Sequence, residues 1–190
     1  MRYKEDFEYI DKIKAGNKQA FGFLVEKYKD MVYSITLKIL KNPDDAKDVA
    51  QESFIKAFEK VDTFKKEAKF STWLYTLTYR RALYFRRLNK IESRELIQPE
   101  IEKEQTDFES PIKRLNSSDQ KKYIKKAIDS LPETEGLLVI LYYLDENSVK
   151  EISEITGLTK SHIKVKLFRA RKTLKKKLNN LLQADINTIL

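Results

Sequence analysis

Apolar residues recur along this chain at intervals of three and four, in blocks divided by short polar breaks. Phe7, Ile10 and Ile13 mark a short first helix over residues 6–14, which Gly16-Asn17 interrupts. Phe21, Leu24, Val25, Tyr28, Val32, Ile35 and Ile39 then keep helical spacing over about five turns. Asn42-Pro43-Asp44-Asp45 predicts the next helix start. Asn is a good cap, Pro suits the first helical position, and the acids face the positive helix end. This helix is expected to bury Val49, Phe54, Ala57, Phe58 and Val61, leaving Asp45, Asp48, Glu52 and Lys56 outside. A basic, aromatic-containing loop over residues 62–69 leads into a helix over residues 70–90. There Phe70, Leu74, Leu77 and Leu88 share an apolar side, while Arg80, Arg86, Arg87 and Lys90 fall within one arc. Arg81 falls among the apolar positions, so its stem is expected to pack and its head to turn outward.

From Ile91 to about Ser110 the periodicity lapses, acids dominate, and Pro99 and Pro111 punctuate the run. These residues predict a linker. A helix resumes near Asp119 with Tyr123, Ile124, Ala127 and Ile128, ends at Leu131-Pro132, and restarts through Leu137 to Leu144. Four Gly, four Pro and few alternating β-branched runs predict an all-α chain. Its organisation reads as two small helical domains, residues 1–90 and 116–190, joined by an acidic linker over residues 91–115.

The segment from Val149 to Leu178 is the most specific. Glu151, Ile152 and Ile155 make one short helix, and Gly157 supplies the positive φ that ends it. Thr159 caps a second helix whose buried stripe is Ile163, Leu167, Ala170, Leu174, Leu178 and Leu181. Its other faces are crowded with Lys and Arg. A short helix, a glycine turn and a basic second helix form a helix-turn-helix that reads duplex DNA. Lys160, Ser161, His162 and Lys164, at the start of the second helix, are the candidate base readers. Lys166, Arg169 and Arg171 are the candidate phosphate clamps.

Charge sharpens this picture. The net charge is +9, which favours a polyanionic partner. Residues 1–90 carry 20 basic and 13 acidic side chains, residues 91–110 carry 2 and 7, and residues 111–190 carry 16 and 9. Two basic lobes are thus joined by an acidic strap. The first lobe holds a second constellation: Arg80, Arg81, Arg86, Arg87 and Lys90 beside Phe64, Trp73, Tyr75, Tyr79, Tyr84 and Phe85. Cations for phosphates interleaved with rings for unstacked bases suit single-stranded nucleic acid. Trp73 is expected in the core, while Phe64 and the loop lysines Lys65, Lys66 and Lys69 are expected at the site.

Other chemistry is missing. Without cysteine there are no disulfides or thiolate metal sites. His162 is the only histidine, and no glycine-rich phosphate loop, metal-ligand spacing or nucleophile–base pair is recognisable. No enzymatic activity, metal or cofactor is expected. No run of 18 apolar residues occurs and the N-terminal residues are too charged for a signal peptide, so a soluble cytoplasmic protein is expected.

In their order and spacing these pieces resemble the extracytoplasmic-function (ECF) sigma factors, promoter-specificity subunits of bacterial RNA polymerase. The resemblance runs from about Ala20 to Leu178, apart from the linker. It rests on AFGFLVEKYKDMVYSI, on NPDDAKDVAQESFIKAF, on FSTWLYTL, on Leu131-Pro132, on Glu151-Ile152 with Gly157, and on Ile163-Lys164 followed by Arg169-Ala170-Arg171. It implies a region 2 helical bundle followed by a region 4 helix-turn-helix. It also implies RNA polymerase core as partner, through the β′ clamp helices and the β flap. Asp48, Gln51, Glu52 and Lys56 would dock on the clamp helices. Phe64, Lys65, Lys66, Lys69, Tyr75, Tyr79, Arg80, Arg86 and Arg87 would recognise and melt the −10 element. Lys160, Ser161, His162, Lys164, Lys166, Arg169 and Arg171 would bind the −35 element. A cognate anti-sigma factor is a further implied partner, one that could hold the chain at the inner membrane face without inserting it. Arg80 and Tyr84 stand where family members usually have Asn and Asp. The rival readings are a dimeric helix-turn-helix regulator, a nucleic-acid-processing enzyme and a pure polymerase-binding protein; the first leaves residues 1–90 without a purpose.

Overall fold

In the computed structural model the backbone is described over residues 3–92 and 118–189, and the side chains over residues 5–89 and 123–179. Every regular element in these segments is helical. The helices fall into two compact units. The first holds α1 (Tyr3–Lys14), α2 (Phe21–Leu40), α3 (Pro43–Glu59) and α4 (Phe70–Glu92). The second holds α5 (Ser118–Asp129), α6 (Glu133–Val139), α7 (Val149–Thr156) and α8 (Lys160–Ile189). The linker expected over residues 91–115 falls, past Glu92, outside the described residues.

In the first unit α2, α3 and α4 pack pairwise, and α1 lies against α2 and reaches α4. Ile10, Leu24, Ile35, Ile39, Phe70, Leu74 and Tyr75 are fully buried at the centre. The start of α3 forms as its sequence predicts: Asn42 accepts a hydrogen bond from the Asp44 amide at 2.9 Å, with Pro43 in the first turn. The buried Thr36 hydroxyl donates to the Ala46 carbonyl at 2.8 Å and ties α2 to α3. One feature carries no hydrophobic signature. Asp6 is buried, accepting from the Tyr28 hydroxyl at 2.6 Å and pairing with Lys27 at 2.5 Å. Burying a carboxylate is costly unless it is paired, and this pair fastens α1 to α2. Leu88, expected on the apolar side of α4, is exposed.

In the second unit α8 packs on α5, α6 and α7. Leu138, Leu141, Ile152, Ile155 and Ile163 form the fully buried core. The helix expected to run to Leu144 does not stay regular. It widens into a π turn over Ile140–Leu144, where the Asp145 amide donates to the Ile140 carbonyl at 3.3 Å. Asn147, itself buried, closes this turn through its amide and its Nδ2, both donating to the Leu141 carbonyl at 3.0 and 3.1 Å. Ser148 then starts α7 with a reciprocal cap: its Oγ accepts from the Glu151 amide at 3.2 Å, and Glu151 accepts from the Ser148 amide at 2.7 Å. No helix among the described residues is long and apolar enough to cross a membrane.

Candidate nucleic-acid interface

The turn between α7 and α8 is bonded several times over. Gly157 adopts φ 73°, and its amide donates to the Ser153 carbonyl at 2.9 Å. The Ser153 hydroxyl donates to the Leu158 carbonyl at 2.7 Å, and the Leu158 amide donates to Thr156 Oγ1 at 3.3 Å. Thr159 Oγ1 accepts from the His162 amide at 3.3 Å, as expected of the residue that caps α8. These bonds fix the direction in which α8 leaves α7.

Along α8 the burial is one-sided. Ile163, Leu167 and Ala170 are buried, and Leu174 and Leu178 are half-buried; the side chain of Leu181 lies outside the described residues. Lys160, Ser161, His162, Lys164, Arg169 and Arg171 are all exposed, and Lys166 is half-exposed. Every candidate duplex-reading residue thus lies off the core stripe and is open to a partner. Two residues that the reading of the sequence passed over, Val165 and Phe168, are exposed among them. Their exposure was legible, since both fall off the buried stripe, but attention to charge alone hides it.

The candidate strand-capture cluster divides differently. Phe64 is buried, its ring centroid 5.4 Å from Trp73, 5.7 Å from Phe70 and 6.1 Å from Phe7. Tyr75 is fully buried and meets Tyr28 edge-on at 6.1 Å. Neither ring can stack on a base in this structure, so the expectation that they contact DNA is corrected: both are core. The reason is packing, because the loop folds back on α1. The Lys14 ammonium donates to the Asp62 and Phe64 carbonyls at 3.1 and 2.9 Å, and Lys66 pairs with Asp11 at 2.5 Å. Trp73, expected in the core, is instead half-buried. Lys65, Arg80 and Arg87 are exposed; Lys66, Lys69, Tyr79 and Arg86 are half-exposed. The Arg87 guanidinium sits 5.7 Å from the Tyr84 ring, an exposed cation–ring pair. The side chain of Lys90 lies outside the described residues.

On α3, Asp48, Gln51, Glu52 and Lys56 are all exposed. Glu52 is engaged by Arg81 of α4, which reaches it through Nε at 2.7 Å, so the head of Arg81 turns outward to a surface carboxylate. Lys56 pairs with Glu59 at 2.7 Å. Beside Gln51 runs a groove between α2 and α3 lined by Phe21, Val25, Ala50, Phe54, Ile55 and Phe58. Its apolar walls were not anticipated, and Ile55 stands 52% exposed at its edge.

Two family models match the chain: Sigma-70 region 2 over residues 24–91, and Sigma-70, region 4 over residues 121–174. The ECF RNA polymerase sigma factor SigW of Bacillus subtilis is 31% identical over 181 residues, covering 90% of this chain and 96% of that protein. The chain belongs to the ECF RNA polymerase sigma factors. The ECF sigma-E factor of Haemophilus influenzae is 26% identical and covers 93% of this chain and 97% of that protein. Among solved structures, the sigma factor RpoE in complex with the anti-sigma factor NepR from Bartonella quintana aligns with a TM-score of 0.62 at 21% identity. That alignment covers 84% of this chain and 96% of RpoE. CnrH in complex with the cytosolic domain of CnrY aligns with a TM-score of 0.57 at 20% identity, over 93% and 96%. These two likenesses concern the fold. Membership of the ECF sigma factors assigns α2–α4 to region 2 and the helix-turn-helix to region 4, the two-domain all-α organisation that the hydrophobic periodicity predicts.

Proposed function

We propose that this sigma factor binds RNA polymerase core and divides promoter recognition between its two units. In this reading α8 enters the major groove of the −35 element, with Lys160, Ser161, His162 and Lys164 at base edges and Lys166, Arg169 and Arg171 on phosphates. The one-sided exposure of α8 carries the proposal: its core stripe is buried while each candidate contact stays free of it. The −10 element would be held as separated strand by Lys65, Lys69, Arg80, Arg86 and Arg87, with Tyr79 and Trp73 as partly exposed rings. Polymerase would dock on Asp48, Gln51, Glu52 and Lys56, and the apolar groove beside Gln51 supports this, since a protein interface needs a dry centre inside its polar rim. An anti-sigma factor is the proposed regulator, supported by two sigma factors of like fold whose solved structures contain one.

Splitting modest contacts between two tethered units makes tight binding depend on engaging both at once. Run-off transcription with core polymerase and the promoter of the chain's own operon tests the reading. A discrete transcript that requires this chain is expected; polymerase that starts equally well without it would sink the proposal.

A further inference from the structure

Phe168, 64% exposed, and Val165, 47% exposed, are the two most exposed large apolar side chains described in the second unit, and both lie on α8. At about 100° per residue they stand about 60° apart and one turn along the helix. The direction opposite Ile163, Leu167 and Ala170 falls between them. Ser161 and Lys172 share that outward direction, and Lys164 and Arg169 flank it on either side, all exposed. The most outward direction of this strongly cationic helix therefore carries two large apolar side chains beside Ser161 and Lys172.

Exposed apolar area in the middle of a contact surface is explained by what covers it. The surrounding cations (Lys160, Lys164, Arg169, Arg171 and Lys172) specify a polyanion rather than an apolar protein face. Within a DNA major groove the apolar feature on offer is the C5-methyl group of thymine. Neither side chain donates or accepts hydrogen bonds. Facing a G·C pair, they would strip water from G O6, G N7 and the C amino group without replacing it, so the same pair disfavours G·C at that step.

We propose that Val165 and Phe168 form an apolar reading edge for thymine methyl groups, making them specificity determinants of this chain's duplex element. Arg169 holds a phosphate on one side and Lys164 meets a base edge on the other, and together they set the depth of the helix in the groove. This rests on the duplex reading of α8 given above.

The test uses the full chain assembled with core polymerase. Holoenzyme enriches binders from a pool of randomised duplexes, and each thymine of the enriched site is then replaced singly by deoxyuridine, which lacks only the methyl group. At one or two positions the replacement is expected to weaken binding about fourfold each, the value of one buried methyl group. V165A and F168A, at exposed positions that leave the fold intact, are each expected to abolish the thymine-over-uracil preference at one of those positions. Uracil tolerated everywhere by the unaltered chain would overturn the proposal. An undiminished preference in both variants would do so too, as would loss of polymerase affinity with the preference unchanged, which would assign the pair to a protein contact. Failure to enrich any duplex would remove the duplex reading of α8 as well; enrichment that is indifferent to the methyl group removes the methyl-reading edge alone.

Discussion

Helices α4 and α8 are similarly long, basic and amphipathic, yet the residues proposed as DNA contacts fare differently on them. On α8 every one of those residues remains off the core. On α4 and the loop before it, two of the proposed rings, Tyr75 and Phe64, are interior, and Arg81 is tied to Glu52. Through Ala170, α8 buries a single stripe, so its charges and apolar residues sort cleanly by helical phase. By contrast Phe70, Ser71, Thr72, Leu74 and Tyr75 of α4 are all buried, so most directions around its first turns point into protein. On a helix covered from several sides, an aromatic residue close in sequence to arginine says little about what that aromatic touches.

The contrast is most easily broken at Tyr75. If the ring is core, Tyr75→Ala lowers the unfolding free energy by about 3–5 kcal/mol in denaturant titration, well before any effect on promoter opening is measured. A variant of undiminished stability with impaired opening, read by permanganate reactivity of unpaired thymines, would return the ring to the site. On α8 the corresponding test is electrostatic. Lys164→Ala with Arg169→Ala should leave stability within about 0.5 kcal/mol but weaken duplex binding on the order of tenfold. The dependence of log K on log salt should become shallower by about 2, and an unchanged slope would take both residues out of the interface.

Smaller effects sharpen the comparison. Gly157→Ala places a Cβ at φ 73°, where no neighbour lies within 4 Å, so its cost is backbone strain alone, about 1 kcal/mol in thermal unfolding. A loss well above that would mean that the turn tolerates no adjustment. Smallest is Arg81→Ala, which removes a partly exposed pair with Glu52 and should change stability by about 0.2–1 kcal/mol. If that substitution instead weakens polymerase binding several-fold in a pull-down titration, Arg81 acts by presenting Glu52 to the docking partner.

The elements themselves were legible wherever one periodicity dominated. The spacing of Phe21 to Ile39 and the Asn42-Pro43 start give α2 and α3 closely, and Gly157 with Thr159 gives the helix-turn-helix. The cap formed by Ser148 and Glu151 is equally readable from its three-residue spacing. Other features had no local sign. The buried pair of Asp6 and Lys27 joins residues 21 apart in sequence, and a carboxylate in a first helical turn ordinarily means solvent or the helix dipole. The π turn at Ile140–Leu144 depends on Asn147 satisfying a carbonyl that a regular helix would have served, which periodicity does not register. Phe64 escaped for a comparable reason, since Lys14, 50 residues earlier, holds its carbonyl and draws the loop inward.

Because the bend at Gly157 is held by side chains as well as by its own backbone, changing what α8 displays need not disturb how it is aimed. Outward positions can exchange residues at little cost to folding, while Ser153 and Thr156, neither of them among the candidate duplex contacts, keep the aim constant. A lineage using this scaffold could therefore drift toward new target sequences by surface changes alone, with the orientation of the probe inherited unchanged.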